Sequence, residues 1–213
     1  MDHLYKNVIK KESLDLLSHI QSNKHFNQFY LAGGTALSLQ IGHRESIDLD
    51  LFSPKPFKRN IVIDLNLNQF SDYSEVFMND NSIDLIASRT KVFLWYYAYE
   101  LTREVLSCEG FRLADPVDIG LAKLLAIQGR NTRKDIIDLF FIDKEIIKLE
   151  ELLEIFDKER NEESLNKINN YKRLFDYEKL ELDVMPKMIV DFDWQECLDL
   201  VTSKISKHVR NSL

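Results

Sequence analysis

The segment Tyr30–Phe52, YLAGGTALSLQIGHRESIDLDLF, carries residue types suited to holding phosphate and a hard cation. Gly33 and Gly34 allow the backbone to turn tightly and pass close to a ligand. Thr35 opens an apolar stretch through Gln40, where a hydroxyl can cap a helix and leave its first N–H groups facing an anion. After a short return, Ile47-Asp48-Leu49-Asp50-Leu51-Phe52 alternates apolar and polar residues. That alternation predicts a strand with Asp48 and Asp50 on one face and Ile47, Leu49 and Leu51 in the core. Neighbouring carboxylates repel unless a cation sits between them. Mg²⁺ suits such a pair, because it takes hard oxygen ligands and joins one or two carboxylates to substrate phosphates. A phosphate-facing turn and a carboxylate pair one helix apart imply nucleotide chemistry.

The surrounding pattern supplies the elements that position these residues. Helical spacing is read over residues 4–22, a first strand over 28–32, a short helix over 35–41 and a second strand over 47–52. Pro54 and Pro56 interrupt the pattern, and 58–69 reads as a helix packing Ile61 and Leu65, with a strand as the alternative. Strands are expected over 75–78, 82–88 and 91–99, and a short one over 103–106. From Pro116 the chain turns helical, over 117–128 and then 133–141. The Glu/Lys-rich remainder spaces Ile146, Leu149, Leu152, Leu153 and Phe156, then Trp194, Leu198, Val201 and Ile205, at a period near 3.6. The fold class is therefore α/β (α+β), a mixed sheet core over residues 1–143 and a helical extension over 144–213 packed on it.

Three blocks together resemble the minimal nucleotidyltransferase fold and, within it, the AbiEii/AbiGii-like toxin nucleotidyltransferases. The first is Gly33-Gly34-Thr35 with His43-Arg44-Glu45-Ser46-Ile47-Asp48-Leu49-Asp50. The second is Ser82-Ile83-Asp84-Leu85-Ile86. The third runs from Asp115 through Lys123 to Gly129-Arg130 and Arg133-Lys134-Asp135-Ile136-Ile137-Asp138. They span roughly residues 28–142, and their joint occurrence is more specific than any block alone.

The resemblance implies a Mg²⁺-dependent nucleotidyltransferase with two ions, Mn²⁺ being a possible substitute, held by converging Asp48, Asp50 and Asp84. Nucleoside monophosphate would pass from an NTP to an acceptor hydroxyl, the 3′ end of tRNA or another RNA being favoured. Gly33, Gly34 and Thr35 would position the phosphates and Lys123 would neutralise them. Asp135 would be a base or a substrate-positioning carboxylate. Arg44 either makes an ordinary salt bridge or balances the acidic cluster, or else orients a carboxylate or touches phosphate, and His43 is structural. The family further implies the toxin of a bacterial toxin–antitoxin (abortive infection) system with a separately encoded antitoxin. Two alternatives stand beside this reading: AMP transfer to a protein hydroxyl, and a non-catalytic nucleotide-binding protein.

Bland readings compete with several of these residues. Asp84 alone is an exposed strand residue, and Lys123 alone an exposed lysine at a helix edge. Asp135 alone pairs with Lys134 or Arg130 in solvent. Tyr73 and the run Trp95-Tyr96-Tyr97-Ala98-Tyr99 could stack a base, but core packing is the commoner use of strand aromatics.

Bulk composition narrows the partners. The 213 residues are 45% hydrophobic, with 13 Phe and 8 Tyr, enough for a sizeable core. A net charge of −7 argues against a broad basic surface for nucleic acid, but leaves room for a local patch of Lys123, Arg130, Arg133 and Lys134. Cys108 and Cys197 lack metal-ligand spacing and read as free thiols. With no membrane-length apolar run and no signal-peptide pattern, a cytoplasmic location is expected.

Overall fold

The N-terminal part of the chain pairs seven short strands into one mixed sheet in the order β3-β4-β5-β2-β1-β7-β6. They are β1 (Tyr30–Ala32), β2 (Leu49–Ser53), β3 (Ser74–Asn79), β4 (Ser82–Ala87), β5 (Thr90–Tyr96), β6 (Leu106–Cys108) and β7 (Phe111–Leu113). The computed structural model describes residues 3–130, 132–160 and 177–211. By internal packing the chain divides into two units, Met1–Asp115 and Pro116–Leu213. The division falls before the third sequence block, so that block belongs with the helical part and not with the sheet.

In the first unit, β2 is central, antiparallel to β1 and parallel to β5. Leu49 and Leu51 are fully buried, as their alternation predicts. Ile47 is not; it is 60% exposed, because the strand begins two residues later than the pattern suggested. The β4–β5 hairpin turns on Ser88 and Arg89, both at positive φ, which matches the strand twist required of a two-residue connection. Helix α1 (Lys11–Ser22) buries Leu16, Leu17 and Ile20, while Lys6–Val8 ahead of it is a separate 3₁₀ turn. Residues 58–69 form two 3₁₀ segments, Arg59–Leu65 and Leu67–Gln69, because Asn66 adopts a left-handed conformation that ends the first.

A strand the sequence did not announce, β7, is secured by one side chain. The Arg112 guanidinium donates to the carbonyls of Gln21, Phe26 and Phe29, while Gln21 exchanges two hydrogen bonds with the Arg112 backbone. These five bonds tie the end of α1 and the approach to β1 to the sheet edge. They satisfy main-chain groups that would otherwise be buried without partners.

The second unit is helical: α3 (Pro116–Gly129), α4 (Arg133–Glu145), α5 (Leu149–Arg160), α6 (Tyr177–Leu182) and α7 (Trp194–Asn211). The expected apolar stripe of Leu149, Leu152, Leu153 and Phe156 is buried. It packs within this unit, where a Cβ on Gly120 of α3 would come within 2.8 Å of Leu152. Ile146, expected in the same stripe, is 40% exposed because it falls between α4 and α5.

Candidate active site

The Gly-Gly-Thr turn joins β1 to helix α2 (Gly33–Ile41), which starts at Gly33 itself. Gly33 has φ +63, and a Cβ placed there would lie 2.2 Å from Asp50 Oδ2. The Asp50 carboxylate therefore rests against the bare Cα of Gly33. Any side chain at that position would occupy the carboxylate's place as well as strain the backbone. The turn and the strand carboxylate, separate in sequence, form one feature in space.

Thr35 acts differently from the expectation. It does not cap α2; its side chain is buried, donates to the Asp48 carbonyl and lies 2.8 Å from Ser46 Oγ. The hydroxyl is engaged by the protein's own chain, and it anchors the entrance to β2 just where Asp48 stands. A helix start without a side-chain cap leaves its first N–H groups for other acceptors. Of the Gly-Gly-Thr turn, the backbone of Gly33 and Gly34, and not the engaged Thr35 hydroxyl, is the part with donors left at the helix start.

Sheet register places the remaining carboxylates. Asp50 of β2 pairs with Phe93 of β5, and Phe93 pairs in turn with Asp84 of β4. Cross-strand partners share a face, so Asp50 and Asp84 lie on the same face with Phe93 between them. Two strand spacings separate their backbones, about 9–10 Å. Of the three carboxylates expected to converge, register puts Asp50 and Asp84 on one face with a single strand between them. Among the described residues, no three His, Cys, Asp or Glu side chains group closely enough to hold a metal ion. Asp84 is only half-buried, and desolvation pushes its carboxyl up from the ordinary value.

Asp48 stands just before β2, which begins at Leu49, so the strand itself carries only Asp50 of the expected pair. Mg²⁺ is held by one or two carboxylates with substrate phosphate and water completing the shell, the donor chemistry that Asp48 and Asp50 would supply. Arg44 is 3% exposed and donates through Nη1 to the Glu45 carbonyl, and His43 is fully buried. Both help build the return between α2 and β2.

In the second unit, Lys123, Asp135 and Asp138 form a buried ionic cluster. The Lys123 ammonium lies 2.8 Å from Asp135 and 2.6 Å from Asp138, and both carboxylates are fully buried. Arg130 adds two hydrogen bonds to Asp135, and the Thr132 hydroxyl donates to it at 2.6 Å. Burial pushes the Asp135 carboxyl up, but Lys123 and Arg130 overcome this and hold it at about 2. Lys123 is therefore not an exposed helix-edge lysine, and Asp135 does not pair in solvent. Asp135, expected as a base or a substrate-positioning carboxylate, is thus enclosed by cations and a hydroxyl of its own unit, which hold it in the ionised form. The reason is desolvation: carboxylates without water need cations and donors beside them, and this cluster supplies both. Of the basic patch read around it, Arg133 binds the carbonyls of Leu180 and Glu181, and Asn131 lies outside the described residues.

Sequence reading missed one group on the carboxylate face. Trp95 is 53% exposed and Tyr99 42%, whereas core packing was expected. The signal was available in principle, since Trp95 follows Phe93 by two residues and so shares its face with Asp50 and Asp84.

Residues 15–109 match the family model described as nucleotidyl transferase AbiEii toxin, type IV TA system. That span includes the first two sequence blocks and stops short of the third. An uncharacterised protein of Aquifex aeolicus (strain VF5), aq_aa25, is 29% identical over 221 residues, which covers 95% of this chain and 98% of that protein. A solved Helicobacter pylori protein, a candidate nucleotidyltransferase, superposes with a TM-score of 0.60 at 21% identity, covering 94% of this chain and 93% of its own. JHP933 from Helicobacter pylori superposes with a TM-score of 0.56, also at 21% identity, over 95% and 92% of the two chains. Those two structures share the fold. Across residues 15–109, then, this chain is similar to the AbiEii nucleotidyl transferase toxin family.

Proposed function

We propose that the chain transfers a nucleoside monophosphate from an NTP to the hydroxyl of an RNA acceptor, a tRNA 3′ end being the favoured form. The observation that carries this reading is the Asp50 carboxylate lodged against the Cα of Gly33. It brings the glycine turn and the Asp50 carboxylate, separate in sequence, into contact, which supports reading them as parts of one site. The uncapped start of α2 at Gly33-Gly34 receives phosphate oxygens through backbone N–H groups. Asp48 and Asp50 would hold Mg²⁺, which would supply charge neutralisation on the phosphates and lower the pKa of the attacking hydroxyl. Thr35 fixes the spacing between turn and carboxylates through Asp48. Asp50, kept in place by the absence of a Gly33 side chain, would face the α-phosphoryl group across that ion; the acceptor oxygen bonds to the α-phosphorus as pyrophosphate leaves in line, and the hydroxyl proton passes to solvent. Catalysis on this scheme is positioning and electrostatics.

The match of residues 15–109 to the model of a type IV toxin family supports a toxin whose effect is opposed by a separately encoded antitoxin. No helix of the described residues is long and apolar enough to cross a membrane. The test is to incubate the protein with each labelled NTP, Mg²⁺ and total RNA. Label should enter RNA and be lost on chelation or on Asp50→Asn substitution. Label entering protein instead would establish the protein-acceptor alternative. No transfer and no NTP binding would overturn the reading.

A further inference from the structure

The carboxylate face continues past Asp50 into a row of aromatic side chains that nothing above assigns. Phe52 follows Asp50 by two residues and pairs with Tyr30 on one side and Trp95 on the other. Ring centroids are 6.4 Å apart for Tyr30 and Phe52 and 6.2 Å for Phe52 and Trp95. Tyr97 stacks on Phe52 at 4.9 Å with an interplanar angle of 19°. Exposure rises along the row: Tyr30 is buried, Phe52 is half-buried and Trp95 is 53% exposed. An indole so exposed loses hydrophobic stabilisation that a buried position would supply, yet its neighbours hold it firmly.

The position of the row relative to the turn gives it a direction. Ala32 pairs with Asp50, and β1 runs antiparallel to β2, so the Gly33 turn lies toward the Leu49 end of β2. Trp95, at the level of Phe52, lies on the other side of Asp50, about 6.6 Å further along the strand. Phosphates at the turn and a reacting phosphorus at Asp50 would leave a nucleoside to extend toward Trp95. That distance is on the scale of a single nucleotide, and every nucleobase presents a π-face to an exposed indole.

We propose that Trp95 is a stacking platform for a nucleobase at the carboxylate face, flanked by Phe52, which in turn contacts Tyr97 and Tyr30. The inference rests on the nucleotidyl-transfer reading of that face and adds the subsite that grips the base. The base belongs either to the incoming NTP or to the end of the RNA acceptor, the chemistry being the same.

The chain has two tryptophans, so Trp194→Phe leaves Trp95 as the sole indole. Its fluorescence is titrated with each NTP, with a short single-stranded oligoribonucleotide and with inorganic triphosphate, all with Mg²⁺. Saturable quenching by NTP or by RNA, and none by triphosphate, is expected; whichever arm quenches identifies the source of the base. In that arm Trp95→Ala should weaken binding roughly 5- to 150-fold, the equivalent of one stacked base, and Trp95→Phe should retain most of the affinity. No quenching in either arm, with NTP and RNA binding unchanged in Trp95→Ala, overturns the platform. Labelled transfer to RNA is measured in parallel. Transfer by the wild type with the platform overturned leaves the functional reading standing, whereas a wild type that neither binds NTP nor transfers overturns that reading itself.

Discussion

Asp50 and Asp84 share one cross-strand neighbour, each pairing in register with Phe93 from opposite sides. Phe93 therefore stands between them on that face, and the two acids are not equivalent. Asp50 also touches the glycine turn, and Asp84 does not figure in that contact.

Unequal losses follow from this geometry. Asp50→Asn keeps the side-chain shape and removes the charge, and should cut labelled transfer by about a hundredfold or more, the scale of a principal electrostatic contact. Asp84→Asn should cost about tenfold less than that in kcat/KM. Circular dichroism should show both variants folded. Equal losses would place Asp84 beside Asp50 in the chemistry.

Gly33→Ala tests the close approach directly. The new Cβ would fall 2.2 Å from Asp50 Oδ2 at a residue whose φ is +63. Stability should drop by about 1 kcal/mol or more from the backbone alone. Transfer should fall further than that loss accounts for, because Asp50 must move. Thermal unfolding and steady-state kinetics on the same preparation separate the two effects.

Lys123→Ala removes the cation between two fully buried carboxylates. Breaking a buried pair of this kind costs about 3–5 kcal/mol. Denaturant unfolding should show that loss. A stability within error of wild type, with a raised KM for NTP, would instead assign Lys123 to the triphosphate.

Acid should weaken the same cluster. The Asp135 carboxyl is depressed from 3.8 to about 2 in the folded chain, so the stability it contributes is complete above the unfolded value and is lost as pH falls through the folded one. The wild type should lose stability between about pH 4 and pH 2, by on the order of 2 kcal/mol from this group. Asp135→Asn should be less stable at neutral pH and should show a shallower decline across that window.

Local pattern was enough to locate the turn, the strand carrying Asp50 and the helical second half, because each depends on spacing within one element. Gly33-Gly34 before an apolar run and the Leu49–Leu51 alternation are readable from neighbours alone. Tertiary structure decided whatever depended on partners distant in the chain. Register set Asp84 across Phe93 from Asp50, and no property of Ser82–Ile86 by itself encodes which strand it joins. Arg112 completes β7 through carbonyls more than eighty residues away, so a strand of three residues had no local signal. Lys123 looked like an exposed charge because its spacing on α3 is that of a helix edge. It became buried because α4 brings Asp135 and Asp138 against it, and two carboxylates with one ammonium are tolerable without water where any of the three alone is not. Trp95 shows the converse: a residue type that ordinarily seeks the core is left open because its strand face is the one that bears the carboxylates.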